Sequence, residues 1–133
     1  MTEIKPLTQQ EIFDNAVNGI AGQDFAPATG DDGVCRCYVE KDGKELRCAL
    51  AHSLPLQKAK DHPQAYPIAM LFPLRFTDKN ATEPLERFAA KVQLAHDTKL
   101  AKAPGKDGWV QEMYNIAVEF KLNPESLDKA VRG

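Results

Sequence analysis

Long apolar runs are missing from this chain of 133 residues. The longest, Ile68 to Phe72, falls far short of the roughly 20 residues that a bilayer-spanning helix needs. The opening residues, Met-Thr-Glu-Ile-Lys-Pro-Leu-Thr-Gln-Gln, hold no apolar core of the signal-peptide kind. A soluble protein with no membrane partner is expected. Serine is scarce too, with only Ser53 and Ser126, and neither sits in a nucleophile-elbow context. The glycine-rich loops that cradle phosphates are absent. So is any excess of one charge: 17 basic residues stand against 19 acidic ones, a net charge of −2. That balance leaves no electrostatic footprint for a nucleic-acid backbone, so a nucleic-acid-binding module ranks last among the function classes.

What is present suits one globular domain over residues 1–133. Hydrophobic residues make up 43% and charged residues 27%, enough to build a core at ordinary surface polarity. Thr8-Gln9-Gln10-Glu11 reads as a capping box, with Thr8 as N-cap and Glu11 at the third helical position. Ile12, Phe13, Ala16, Val17 and Ile20 follow at helical spacing, predicting a helix over 8–22. Pro27, Gly30 and Gly33 mark the next stretch as loop. Its Asp31-Asp32 pair lacks the spacing of a calcium loop.

Asp42-Gly43 is a strong hairpin signal, predicting two strands over 34–50. A type I′ turn centred on those two residues pairs Lys41 with Lys44, Glu40 with Glu45, Val39 with Leu46, Tyr38 with Arg47 and Cys37 with Cys48. Strand alternation then puts Cys35, Cys37, Val39, Leu46, Cys48 and Leu50 on an apolar face. Arg36, Tyr38, Glu40, Glu45, Arg47 and Ala49 take the opposite face. A proline-punctuated segment covers 57–80. Helical patterns return over 82–103, 108–122 and 124–131, the last opened by Asn123 as N-cap with Pro124 behind it. The expected fold is α+β, a small antiparallel hairpin or sheet packed against three to four helices. The apolar hairpin face should rest on the stripe of residues 85–100 or 109–120.

Cys35, Cys37, Cys48 and His52 are the one cluster of zinc-ligand type. Three thiolates and an imidazole can hold structural zinc, and a thiol beside a base can act as a nucleophile. The spacing fits a zinc knuckle poorly, and the alternation puts the thiols beside Val39, Leu46 and Leu50. Buried core cysteines are therefore the favoured reading. No cofactor is expected, and a metal- or thiol-dependent small enzyme on this cluster is the alternative. His96-Asp97 reads as a polar pair on a helix surface, because neighbours on an α-helix point about 100° apart. For binding, Arg36, Tyr38 and Arg47 on the exposed hairpin face are the candidates, since Tyr and Arg are favoured interface anchors. Tyr66 and Phe76, at the ends of an apolar stretch, are added to them.

Thr8 to Phe13, Cys35-Arg36, Asp42-Gly43, Arg47 to Leu50, Ala95-His96-Asp97, Trp109 and Ile116-Ala117 together make the chain resemble a family of small uncharacterised phage and prophage proteins. Cys37-Tyr38 and Ala51 depart from that family's pattern. The resemblance implies the cytoplasm of a bacterial host and brings no assigned activity. A non-enzymatic accessory protein that binds and modulates a host protein is the expected function, in its most specific form an inhibitor of a defence system such as CRISPR. Oligomeric state leaves no mark in the sequence.

Overall fold

Thr8 opens helix α1 (Gln9–Gly22) through a reciprocal capping box. Its hydroxyl accepts the Glu11 backbone N–H at 3.1 Å, and the Glu11 carboxylate accepts the Thr8 N–H at 3.0 Å. Two otherwise unpaired donors of the first turn are thereby satisfied. Ile12, Phe13, Ala16, Val17 and Ile20 all point inward and are fully buried. The computed structural model describes residues 8–29, 36, 38–53, 57, 60, 85–101 and 105–132.

Strands β1 (Tyr38–Lys41) and β2 (Lys44–Arg47) form the hairpin. The pairing is Lys41 with Lys44, Glu40 with Glu45, Val39 with Leu46 and Tyr38 with Arg47. Asp42 and Gly43 both take positive φ, 51° and 77°, as a type I′ turn requires. The register expected from the turn is therefore the observed one. The Cys37–Cys48 pair lies outside the described residues, as do Cys35, the proline-punctuated segment except Gln57 and Lys60, and the Asp31-Asp32 loop.

After β2 the chain turns through a 3₁₀ segment, Leu50–Ser53, which packs closely on α1. Helix α2 (Leu85–Ala95) runs without a break into a π-helical turn, His96–Leu100. The turn is marked by the Ala101 N–H bonding the His96 carbonyl five residues back, at 2.9 Å. Helices α3 (Lys106–Glu119) and α4 (Glu125–Arg132) close the chain. The Asn123 side chain accepts the Glu125 N–H at 2.9 Å, the expected cap. Mostly helical with one small antiparallel hairpin, the molecule is an α+β fold.

One apolar cluster joins α1, the 3₁₀ segment and the three later helices. Phe88, Ala89 and Val92 of α2, Trp109, Met113 and Ile116 of α3, and Leu127 of α4 are its main contributors. Each large side chain fully buried there contributes roughly 1.5–3 kcal/mol. Phe88 and Phe120 meet edge to face at 5.3 Å, as do Phe25 and Trp109 at 5.9 Å, geometries that suit the aromatic quadrupole. Val131, in line with Leu127 by spacing, is 45% exposed, because the short α4 carries its last turn past the edge of the core.

The hairpin sits differently from expectation. Among the described residues it packs chiefly on the 3₁₀ segment that follows it, and not on the stripes of α2 or α3. The alternation also ends sooner than expected. Ala49, placed on the solvent face by spacing, is fully buried. Tyr38, placed opposite the cysteines, is half-buried and packs against Cys48 and Ala51. Cys48 lies beyond β2, where the chain has left the extended conformation, so the period of two no longer assigns its side.

Candidate functional site

The hairpin is tied to the helical body by side chains that carry amides and imidazole. Gln23, just past the end of α1, donates from Nε2 to the Arg47 carbonyl at 2.9 Å, and its Oε1 accepts the Arg47 N–H at 3.1 Å. Strand geometry explains the match. Arg47 and Tyr38 form a pair whose backbone groups point away from each other, so the outer edge of β2 offers one N–H and one C=O side by side. A primary amide carries the complementary pair. Gln23 thus stands where the peptide of a third strand would be. Its remaining capacity goes to the Ala26 carbonyl at 2.7 Å and to His52 Nε2 at 3.0 Å.

Because Gln23 Nε2 serves two carbonyls, its Oε1 must face His52, and His52 carries its proton on Nε2. The ring lies flat against Gly19, where any Cβ would overlap Cγ, Nδ1 and Cδ2. Only glycine lets α1 and the imidazole approach so closely. Burial, then the Arg47 guanidinium and His96, push His52 down to about 4, so the ring is neutral at pH 7.

A second glutamine repeats the device at the other end of α1. Gln10 Nε2 donates to the Asn123 carbonyl at 2.9 Å and Oε1 accepts the Asn123 N–H at 2.8 Å. Asp14 accepts from Gln10 Nε2 at 3.1 Å and from Ser126 Oγ at 2.8 Å. One helix therefore docks the hairpin at one end and α4 at the other. No motif announces either clamp, since each bond joins residues far apart in sequence. A glutamine at the edge of a helix cap is the only available hint.

The structure overturns the surface reading of His96. Its side chain is fully buried. Nε2 accepts the Ala28 backbone N–H at 3.1 Å, which puts the proton on Nδ1, and Nδ1 donates to Asp97 Oδ1 at 2.8 Å. Gln93 Nε2 donates to the same oxygen at 2.9 Å. The π turn begins at His96, and its wider winding brings neighbouring side chains closer in angle than an α-helix does. That removes the ground for treating the two as divergent. A histidine oriented by a carboxylate looks like part of a catalytic relay, yet here the basic lone pair already receives Ala28 N–H. It anchors a loop.

Cys48 is fully buried against Ala51 and Tyr38, while His52 Nε2 is engaged with Gln23. Among the described residues no group of three or more His, Cys, Asp or Glu side chains could hold a metal ion. No described helix is long and apolar enough to cross a membrane. Of the binding candidates, Arg47, the last residue of β2, and Arg36 are half-buried, and Tyr66 and Phe76 lie outside the described residues.

Around Tyr38 the hairpin is strongly charged. Lys60 Nζ sits 3.4 Å from Glu45 Oε1 and 5.7 Å above the Tyr38 ring. Burial and the neighbouring Glu45 raise the Tyr38 hydroxyl above the usual phenol range. The hydrogen bond to Glu45 likewise holds Lys60 above the usual ammonium range. At the tip, Lys41 faces Lys44 and Glu40 faces Glu45 directly across the ladder. Glu40, Lys44 and Glu45 are exposed. Successive pairs point to opposite sides, giving the tip a lysine side and a glutamate side, the latter also carrying Lys60 on Glu45. No family model, curated protein or solved structure matches the chain.

Proposed function

We propose that this protein acts by binding another protein, using the hairpin as the contact arm. The observation that carries this reading is the pair of like-charged cross-strand contacts at the tip. Like charges directly opposite each other destabilise a two-stranded ladder, by up to about 1 kcal/mol per pair. A two-stranded hairpin is itself only marginally stable. Lys60 offsets part of the repulsion at Glu45, and Lys41 Nζ donates to the Thr29 carbonyl, but swapping Lys44 or Glu40 for the opposite charge would remove a like-charged contact, so the arrangement works against the local fold. Local conflict of this kind is expected where a surface serves a partner. A partner offering acid to the lysine face or base to the glutamate face would relieve it.

The phage and prophage resemblance adds the setting: a host protein as partner, modulated by a non-enzymatic accessory protein in a bacterial cytoplasm. Inhibition of a defence system such as CRISPR is the most specific form of this proposal. The test is affinity purification from a host lysate, with bound proteins identified by mass spectrometry, using the wild type and Lys44→Glu. A stoichiometric partner that is lost with Lys44→Glu is the expected result. A partner held equally by both proteins would remove the tip from the interface, and no partner in any host lysate would remove the binding reading.

A further inference from the structure

The contact between the hairpin and the helical body turns on one ring. His52 bridges the two: its backbone belongs to the segment that follows β2, its ring rests on Gly19 of α1, and its Nε2 donates to the Gln23 oxygen that also receives Arg47 N–H. Beside it lies an open crevice of about 240 Å³, lined by Asn18, Gly19, Gly22, Gln23, Glu45, Arg47 and His52. Solvent can therefore receive the ring without any movement of the apolar core.

We infer that His52 is an acid-operated latch, which holds the hairpin on α1 while neutral and lets it go when the ring takes a second proton. Nε2 already carries one proton, so the second must go to Nδ1. The face of the ring that carries that atom is covered by the Gly19 backbone, and a cation buried there is poorly solvated. Among the described groups around it the Arg47 guanidinium and His96 oppose the cation, outweighing the Arg47 backbone hydrogen bond that favours it. β2 also brings Glu45, the π turn that extends α2 carries His96, and among the described residues α1 brings Asn18, Gly19 and Gly22, with Gln23 just past its end, none of them ionisable. In the open state the ring returns to water and protonates in the ordinary range.

The sign follows from linkage. A histidine lowered from 6.5 to about 4 in the closed state binds fewer protons closed than open at every pH between those values. The latch is at full strength above about pH 6.5 and weakens progressively as the pH falls toward 4. Across that window the open-to-closed ratio rises by about two orders of magnitude. Trp109, Met113 and Ile116 are packed in the apolar cluster and do not share this dependence.

Hydrogen exchange by NMR on the isolated full chain, corrected for intrinsic rates and taken from pH 7 to pH 4.5, tests the latch. The Arg47 amide should lose protection at least tenfold as the pH falls, while the Ile116 amide keeps its own. His52→Gln retains an N–H for the Gln23 oxygen and cannot titrate, so its Arg47 protection should stay level. Constant Arg47 protection in the wild type, an equal loss in His52→Gln, or simultaneous loss at Ile116 would each overturn the proposal. Should His52→Gln fail to fold, direct NMR titration of the wild-type His52 ring decides: a midpoint well below 6.5 is expected, and one at 6.5 or above overturns it. None of these readings involves a partner, so failure of the latch and failure of the binding function are told apart.

Discussion

The helical body and the hairpin are held in place by different kinds of interaction. The body closes on Ile12, Phe13, Phe88, Trp109, Met113 and Leu127, all fully buried, and apolar burial depends little on pH or salt. The hairpin, by contrast, buries Leu46 and, among the described residues, is tied to α1 and the turn after it by the Gln23 amide and the His52 ring. Hydrogen bonds of this sort each contribute only about 0.5–1.5 kcal/mol net. A body fixed by packing therefore carries an arm fixed by geometry. Such an arm can be released without unfolding what it is attached to, which suits a contact surface.

The largest expected effect tests the body. Trp109→Ala should cost about 3–5 kcal/mol through the cavity it leaves, a large share of the 5–15 kcal/mol typical of a domain. Chemical denaturation should show the whole chain, hairpin included, losing structure in one earlier transition. A change confined to the hairpin would contradict the division between the two regions.

Gly19→Ala comes next. Its methyl would overlap the His52 ring, and overpacking of this kind costs about 1–3 kcal/mol. The ring can swing into the open crevice instead, so the loss should appear as faster exchange at Arg47, with the α3 amides unchanged. Loss of α3 protection to the same degree would show that the ring is part of the core and not of a latch.

Gln10→Ala addresses the second clamp. Asn123 is exposed, so water can replace the missing amide, and a cost near or below about 1 kcal/mol is expected. Thermal unfolding should register it as a small shift, with the hairpin unaffected. The smallest effect carries the opposite sign. Lys44→Glu replaces a like-charged pair with an opposite-charged one across Lys41, a gain of a few tenths of a kcal/mol up to about 1. Exchange at the hairpin amides should slow slightly, and added salt should reduce the difference from the wild type. A destabilised hairpin in this variant would mean that the tip charges are already compensated.

Much of the architecture was readable from local rules. The capping box of Thr8 and Glu11, the Asp42-Gly43 turn with its four-pair register, and the Asn123 cap all depend on residues close in sequence. The apolar stripes of α1 and α3 were equally plain, because five buried positions at helical spacing leave little ambiguity. Errors began where a local pattern stopped applying. Cys48 and Ala49 lie one and two residues past the end of β2, so extending the alternation through them put Ala49 in solvent and set Cys48 apart from Tyr38. The π turn at His96 carries no sequence signal, and an assumed α-helical angle separated a histidine and an aspartate that in fact share a bond.

The site was less legible than the fold. Gln23 meets Arg47 across 24 positions, and Gln10 meets Asn123 across 113. A glutamine side chain that mimics a peptide is indistinguishable in sequence from one in solvent. A glycine near the end of a helix pattern gives no sign in sequence that its missing side chain makes room for a distant ring, as Gly19 does for His52. The functional proposal accordingly rests on what the structure adds: an arm whose tip is built against its own stability and whose base is held by two polar side chains.

Hydrogen exchange at single-residue level in Gln23→Ala tests this division most directly. Removing the amide takes away the Gln23 bonds to the Arg47 N–H and C=O, while no side chain of the apolar cluster changes. The account predicts that Arg47 loses protection by about tenfold or more and that Ile116 and Met113 keep theirs. Equal loss at all three positions, or no loss at Arg47, would contradict it.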